Sequence, residues 1–252
     1  MEQWQDQGIV LAARSHGESG AVVSLLTENN GRHAGYVRGA RGTKMRGTLE
    51  AGNLADARWQ ARVDGDLGSL TLELSQSFAP RFMQDALRLS ALQSACALCD
   101  AALPEREGHP GLFHGLVALF EALESDVWAP AYVMWELALL RELGFSLDFS
   151  KCAGGGSADS LAYMSPKTGR AVSEEAAGPY KEKLLPLPDF LKPGGRNSDP
   201  KEVLVGLQLT GYFLEHWVFT HHSKGVPEAR LLFQERFEKS LSVSEQQTHE
   251  VA

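Results

Sequence analysis

Five cations lie between Glu28 and Glu50, in a stretch that contains no acidic residue. The cations are Arg32, Arg38, Arg41, Lys44 and Arg46. Glycines interrupt the stretch from residue 39 to 47, which predicts a flexible loop whose last four cations can follow a nucleic-acid backbone. Neutralising several phosphates releases counterions and gives sequence-independent, salt-sensitive affinity. Tyr36, and Trp59 if it faces outward, could stack on bases. The alternative is a solvated basic loop, because a charge cluster is an unspecific signal.

The other residues whose side chains could act in catalysis or bind a metal do not form a recognisable site. Cys96 and Cys99 have the spacing of zinc and redox motifs, but no second pair accompanies them, so core packing is favoured. His216, His221 and His222 are five and six residues apart, whereas zinc-binding helices place histidines at i and i+4. The chain also lacks a phosphate-loop triplet, a nucleophile elbow and a dinucleotide fingerprint. We therefore expect no metal, no cofactor and no enzyme activity.

The 252 residues carry a net charge of −8, which at first argues against a nucleic-acid partner. The acidic excess is concentrated in residues 81–150, with 4 basic and 10 acidic residues, whereas residues 1–80 have 8 and 9. No apolar run is long enough for a membrane span, and the polar N-terminus does not resemble a signal peptide. Three cysteines suit a reducing compartment. These features predict a cytoplasmic protein with a local basic surface and no membrane association.

The residue pattern of positions 1–80 is typical of strands and turns. Short apolar or alternating runs predict five strands, at residues 8–15, 21–27, 32–38, 54–63 and 67–78. Asn30-Gly31 and Asp64-Gly65-Asp66 are hairpin turn signals. No helix of any length is predicted in this part. Five strands in so short a segment favour a small barrel, for which the OB-fold is the best-known candidate.

Helical periodicity dominates after Pro80. Helices are predicted at residues 81–102, 111–123 and 131–143, followed by an irregular Gly/Ser-rich segment at 151–178. Asp199, Pro200 and Glu202 form a capping-box pattern before a last helix that extends through Val218. The expected fold is α+β, with a barrel domain at 1–80, a helical domain at 81–241 and a disordered tail at 242–252.

Four stretches resemble the RecO family of DNA repair proteins. The segment 36–47 is similar to the loop of the family's N-terminal domain. Residues 140–148 followed by Cys152, then residues 163–173, are similar to the junction between helical core and zinc-finger segment. Residues 224–233 are similar to the closing helix-turn. These stretches occur in the family's order and span nearly the whole chain.

The resemblance implies an OB-fold, a helical C-terminal domain and a recombination mediator without catalytic turnover. Such a protein binds single- and double-stranded DNA and anneals complementary strands. It also binds the acidic tail of the single-stranded DNA-binding protein, and it helps RecA to load together with RecR. Localisation would be cytoplasmic and nucleoid-associated. By position, Arg38, Arg41, Lys44 and Arg46 would contact the DNA backbone, in agreement with the charge pattern. Arg32 and Tyr36 complete the predicted DNA-binding set.

The chain departs from the family at the zinc-finger segment. Some members carry two C-x-x-C pairs, whereas this chain keeps Cys152, with Gly155 at the partner position and Ser173 and Ala176 near the second pair. One cysteine cannot hold a tetrahedral zinc, so residues 151–178 are expected to form a metal-free, zinc-finger-like hairpin. The partner-tail pocket cannot be identified from the sequence. Candidate cations for it are Arg81, Arg88, Arg141, Arg230 and Arg236.

Two other functions stay open on the sequence. The chain could be a protein–protein adaptor whose basic loop binds acidic peptides and never contacts DNA. It could also be an RNA-binding OB protein, which would prefer RNA over DNA of the same sequence. For the mediator, annealing should fall steeply with salt, and Arg38→Ala or Lys44→Ala should weaken binding similarly on all sequences.

Overall fold

The computed structural model describes residues 2–63 and 65–250, except the side chains of Pro179 and residues 243–250. The chain forms two compact units. The first comprises Met1–Leu123 with Pro227–Phe233, and the second comprises Glu124–Val226 with Gln234–Ala252. The last barrel strand ends at Gln76, and the first unit continues to Leu123, so the boundary expected after residue 80 falls inside this unit.

Five strands close into a barrel with the order β1-β2-β3-β5-β4. Their bounds are β1 (Glu2–His16), β2 (Gly20–Thr27), β3 (Gly31–Val37), β4 (Leu54–Ala61) and β5 (Ser69–Gln76). Neighbouring strands are antiparallel except β3 and β5, which are parallel. The predicted five-stranded barrel is thereby confirmed. β1 begins six residues before the predicted strand because residues 2–7 pair with β4.

The barrel interior is built from alternate residues of each strand. In β4, every second side chain is buried, and the side chains between them face solvent. The buried residues are Ala55, Ala57, Trp59 and Ala61. Trp59 is therefore an interior residue and cannot stack on a base, which corrects one expectation. Its indole Nε1 donates a hydrogen bond to the carbonyl oxygen of Leu67 at 2.9 Å.

A short helix, α1 (Thr43–Thr48), lies in the connection between β3 and β4. The sequence pattern predicts a flexible loop here and no helix before residue 80, and that prediction is wrong for this segment. Gly42 is the N-cap, and the backbone amide of Arg46 donates to its carbonyl oxygen at 2.9 Å. One turn of helix between glycines has too few residues to produce a periodic sequence pattern.

Two helices of the first unit cover one side of the barrel. They are α2 (Ala86–Ala102) and α3 (Pro110–Ala122), and they contact β1 and β2. α2 begins five residues later than predicted because the Asp85 carboxylate caps it, accepting from the amides of Leu87 and Arg88. Cys96 and Cys99 are free thiols inside α2, and burial raises the pKa of both well above the usual range. They serve core packing.

The second unit is organised by α4 (Trp128–Glu142) and α6 (Pro200–Phe213), which pack against each other. Asp199 caps α6 as predicted, accepting from the amides of Lys201 and Glu202. The reciprocal half of the capping box is not formed, because the Glu202 carboxylate accepts from the amide of Asp189 instead. The predicted continuation to Val218 is a π-helical turn, Leu214–Val218.

Residues 151–178 contain a hairpin of β6 (Leu161–Met164) and β7 (Ala171–Ser173), then α5 (Glu174–Ala177). β8 (Leu185–Pro186) pairs with the other edge of β6 and completes a three-stranded sheet. The Cys152 thiol is buried beside β7, where its sulfur accepts from the backbone amides of Gly154 and Ser173. Among the described residues, no group of three or more His, Cys, Asp or Glu side chains could hold a metal.

The last helix, α7 (Glu228–Glu250), includes most of the predicted disordered tail at 242–252. That expectation is wrong up to Glu250, since the segment has no glycine or proline and its Glu and Gln residues favour helix. Val251 and Ala252 lie outside the described residues. In the described part of the chain, no helix combines the length and the apolar character needed to cross a membrane.

Candidate nucleic-acid interface

The barrel topology brings three connections to one end of the barrel. Ala21, at the start of β2, pairs with Val37 at the end of β3. Tyr36 pairs with Ser69 at the start of β5, and the Tyr36 amide donates to the carbonyl oxygen of Gly68 at 3.0 Å. The β1–β2 turn, the segment that leaves β3 and the β4–β5 hairpin therefore lie side by side.

The basic loop, defined as residues 38–47, leaves the barrel at this end. Gly39 has a positive φ of 68°, and its carbonyl oxygen accepts from the amide of Gly42 at 3.1 Å. The guanidinium of Arg41 donates to the carbonyl oxygen of Gly17 at 3.4 Å, which links the basic loop to the β1–β2 turn. The glycines thus turn the chain, and α1 then fixes the direction of its second half.

All four cations of the basic loop are exposed. Within the described residues, none of them forms an ion pair with a carboxylate. Exposed guanidinium and ammonium groups without a protein counterion can bind external anions without first breaking an internal ion pair. The structure therefore groups the predicted residues Arg38, Arg41, Lys44 and Arg46 on one segment.

A cleft of about 580 Å³ lies between the β1–β2 strands and the basic loop. Arg41 and Arg46 line it together with Ser15 and Glu50. The remaining lining residues are small or apolar, namely Ala13, Gly20, Ala21, Ala40, Leu49 and Ala51. Two guanidinium groups next to small and apolar side chains can hold a flat ring system beside a phosphate, and Glu50 is the one acidic residue in this lining.

Tyr36 lies next to this cleft on the outer side of β3 and is half-buried. Its ring covers Gly20, where an added Cβ would come within 2.1 Å of the Tyr36 hydroxyl oxygen. His16 stands edge-on to the same ring, with centroids 6.0 Å apart. His16 was missed by the sequence analysis, because a histidine at a turn has no distinguishing pattern until the strand register places it beside Tyr36.

Arg32 does not join the basic loop. Its side chain is 18% exposed, and its Nε donates to the carbonyl oxygen of Leu103 at 2.7 Å. It also pairs with Glu105 at 3.3 Å, and Asp100 lies 3.9 Å away. Tyr36 lies four positions further along β3, about 13 Å along the strand. The structure thus gives Arg32 an internal role.

A second cavity, of about 380 Å³, lies in the second unit, and we call it the α4 groove. Arg141 is the one cation among its lining residues. The others are Met134, Leu137, Ala138, Ser146, Leu147, Phe149, Phe190 and Leu191. The remaining candidate cations lie elsewhere: Arg81 stacks over Phe78, Arg88 pairs with Asp85, Arg230 is buried and Arg236 is exposed on α7.

Known families account for nearly the whole chain. The family described as "Recombination protein O N terminal" matches residues 1–78, and "Recombination protein O C terminal" matches residues 83–224. A DNA repair protein RecO of Rhodospirillum centenum is 51% identical over 244 residues, covering 96% of this chain and 97% of its own. Those of Caulobacter vibrioides and Rhodospirillum rubrum are 48% and 46% identical, covering 93% and 95% of this chain and 97% and 98% of theirs.

Proposed function

The chain belongs to the RecO family of DNA repair proteins, and on that premise we propose that it binds and anneals DNA through the basic loop. Membership gives the protein a role in DNA repair and recombination. The proposed activity is that of a mediator that binds single and double strands and has no catalytic turnover.

The observation that carries the proposal is the group of four exposed cations at one end of a closed barrel, none of which has a carboxylate partner in the part of the chain that the structure describes. A five-stranded barrel with a ligand surface formed by its loops is the organisation of an OB-fold, which we propose for residues 1–80. Arg41 and Arg46 would bind phosphates at the mouth of the cleft. Tyr36 and His16 would contact sugars and stack on base faces beside it.

Annealing follows from the electrostatics of this surface. Two complementary strands repel each other through their phosphates, and this repulsion opposes their encounter. A basic surface that neutralises several phosphates lowers the repulsion and raises the local concentration of both strands. Because no base edge is specifically recognised in this scheme, the affinity should be similar for different sequences.

The test is fluorescence anisotropy of a labelled single strand over a salt series. The variant replaces Arg38, Arg41, Lys44 and Arg46 by alanine. Removing four phosphate contacts should lower the slope of log affinity against log salt by about 3, at about 0.7 per contact for single strands. The matched control replaces four exposed cations of the second unit, Lys151, Lys167, Arg196 and Lys224, so that both variants have the same net charge.

Two results would contradict the proposal. If wild type fails to bind DNA at low salt, the adaptor alternative gains support, and acidic peptides become the ligands to test. If the slope of log affinity against log salt falls equally in both variants, binding depends on net charge and not on the basic loop. A strand-annealing assay on the same three proteins should follow the anisotropy results, with annealing by wild type falling steeply as salt rises.

We further propose that the α4 groove binds the acidic tail of the single-stranded DNA-binding protein. The groove offers apolar side chains from Met134, Phe149 and Phe190 for a hydrophobic residue, and Arg141 for a carboxylate. Through that contact, and together with RecR, the protein would help RecA to load on coated strands. Arg141→Glu should abolish binding of an acidic peptide with an apolar C-terminus, whereas Arg236→Glu should not. Equal affinity of both variants would refute this site.

The segment 151–178 is proposed to be stable without zinc. Burial alone would raise the pKa of the Cys152 thiol, but its hydrogen bond with the Ser173 hydroxyl and those from backbone amides lower it to about 7. These contacts occupy the sulfur within the protein. Purified protein should therefore keep its thermal midpoint in the presence of a zinc chelator, and a fall in the midpoint would show that metal contributes.

A further inference from the structure

The β4–β5 hairpin exposes two aliphatic side chains at its tip. Val63 is 63% exposed and Leu67 is 41% exposed. Side chains of this kind usually lie against a protein core, so an adjacent exposed pair on one hairpin can mark a surface that contacts a partner. We call Val63 and Leu67 the apolar tip.

The backbone that carries the apolar tip is held by three hydrogen bonds, two within the hairpin and one from Arg106 outside it. The Trp59 indole Nε1 donates to the carbonyl oxygen of Leu67 at 2.9 Å. The Arg106 guanidinium donates to the carbonyl oxygen of Asp66 at 3.0 Å, and the amide of Asp66 donates to the carbonyl oxygen of Val63 at 3.3 Å. The chain thus fixes the two aliphatic groups in solvent, which reduces the entropy lost when a ligand binds them.

The apolar tip lies at the same end of the barrel as the basic loop. The Tyr36 amide donates to the carbonyl oxygen of Gly68, one residue after Leu67. Arg38, the first cation of the basic loop, follows two residues after Tyr36. A strand whose phosphates lie on the basic loop can therefore reach the two aliphatic side chains. The loop, with four cations and no acidic residue, favours a polyanion over a neutral apolar partner, and the exposed Asp66 carboxylate beside Leu67 keeps phosphates on the loop and away from the tip.

We infer that Val63 and Leu67 contact the faces of unpaired bases in a single strand bound to the basic loop. This inference rests on the DNA-binding function proposed above and adds the part of the substrate that the tip recognises. In a duplex, the base faces are hidden within the stack, and the groove walls offer phosphates and polar edges. Unpaired bases expose apolar faces that can bury an aliphatic side chain, so the apolar tip favours single strands and holds their bases apart for pairing.

The experiment compares two double variants by anisotropy, each on a single strand and on a duplex of the same sequence. The test variant is Val63→Ser with Leu67→Ser. The control is Val127→Ser with Leu74→Ser, whose side chains are 62% and 42% exposed, so the same residue types at matched exposure are changed elsewhere. Thermal melts verify that all proteins are folded.

The test variant should bind the single strand about ten-fold more weakly, since each partly buried aliphatic side chain contributes roughly half of its full burial energy. Its duplex affinity and its salt slope should match those of wild type and control. A single strand with 2-aminopurine gives an independent measurement, because unstacking raises its fluorescence. Saturating wild type should raise the signal, and the test variant should raise it less.

Equal weakening for single strand and duplex, or no weakening for either, would overturn the inference and leave the basic-loop function intact. An unchanged 2-aminopurine response in the test variant would also overturn it. Failure of wild type to bind any DNA at low salt would instead refute the proposed function, and this inference with it.

Discussion

His33 lies inside the barrel in a setting that favours its neutral form. The side chain is 5% exposed and packs edge-on against Trp4 and Trp59, with ring centroids 5.0 and 4.5 Å apart. Neither ring nitrogen makes a well-aligned hydrogen bond to another described residue. Burial, followed by the positive charge of Arg106, lowers the pKa of His33 from 6.5 to about 4. Glu105 and the backbone of Asn30 oppose this more weakly.

This pKa change links barrel stability to pH. The unfolded chain binds a proton at His33 near pH 6.5, whereas the folded chain does so only near pH 4. The stabilisation from a neutral His33 is therefore fully present above pH 6.5 and is lost as pH falls toward 4. The pKa difference corresponds to about 3 kcal/mol over this range. His33→Phe should keep the aromatic packing and abolish this part of the pH dependence.

The measurement is urea denaturation of wild type and His33→Phe from pH 7 to pH 4, with NMR titration of the His33 ring as a direct check. Carboxylates also titrate in this range, but they are common to both proteins and cancel in the difference. The free energy of unfolding of wild type should fall by about 3 kcal/mol more than that of the variant. Parallel pH profiles, or a ring that titrates near pH 6.5, would refute the argument.

Three further predictions concern single contacts. Arg32→Gln should lower the free energy of unfolding by about 2 kcal/mol in urea denaturation, because it removes charge-assisted bonds to Leu103 and its ion pairs, while DNA affinity of the folded protein stays unchanged. Gly20→Ala should cost about 1–3 kcal/mol, and much less in a Tyr36→Ala background, since the Tyr36 ring occupies the space of the new Cβ. Asp199→Ala should cost about 1 kcal/mol by thermal melting, and Asp199→Asn much less, because asparagine can still cap α6.

The barrel could be predicted because its strands carry strong local patterns. Leu70 and Leu72 alternate with exposed residues, and glycine-containing turns separate the runs. The first half of β1 was missed because Gln3, Gln5 and Gln7 are polar, and the pairing with β4 that makes them a strand is a contact between distant segments. α1 was missed for a related reason, since one helical turn has no period to detect.

The two candidate sites differ in the same way, since one is contiguous in sequence and the other combines distant residues. The basic loop is contiguous in sequence, so charge alone identified Arg38, Arg41, Lys44 and Arg46. The α4 groove combines α4 with Phe149 and Phe190, which are 41 residues apart, and only the folded second unit brings them together. Trp59 shows how far the sequence predicts the face of the strand on which a residue lies. The same strand pattern would place Trp59 inside or outside the barrel, depending on a register that the sequence does not specify.

An acidic protein can bind DNA if some of its cations pair with its own carboxylates and others stay available for phosphates. In the first unit, Arg14 bonds Asp100 at 2.6 Å, and Arg32 pairs with Glu105. These carboxylates lie on α2 and just after it, so the negative charge of this region is partly neutralised by barrel arginines that do not belong to the basic loop. The basic loop keeps its cations without such partners among the described residues. Net charge counts both kinds of cation equally, whereas phosphate binding depends on the second kind, and a net charge of −8 is therefore compatible with a DNA-binding surface.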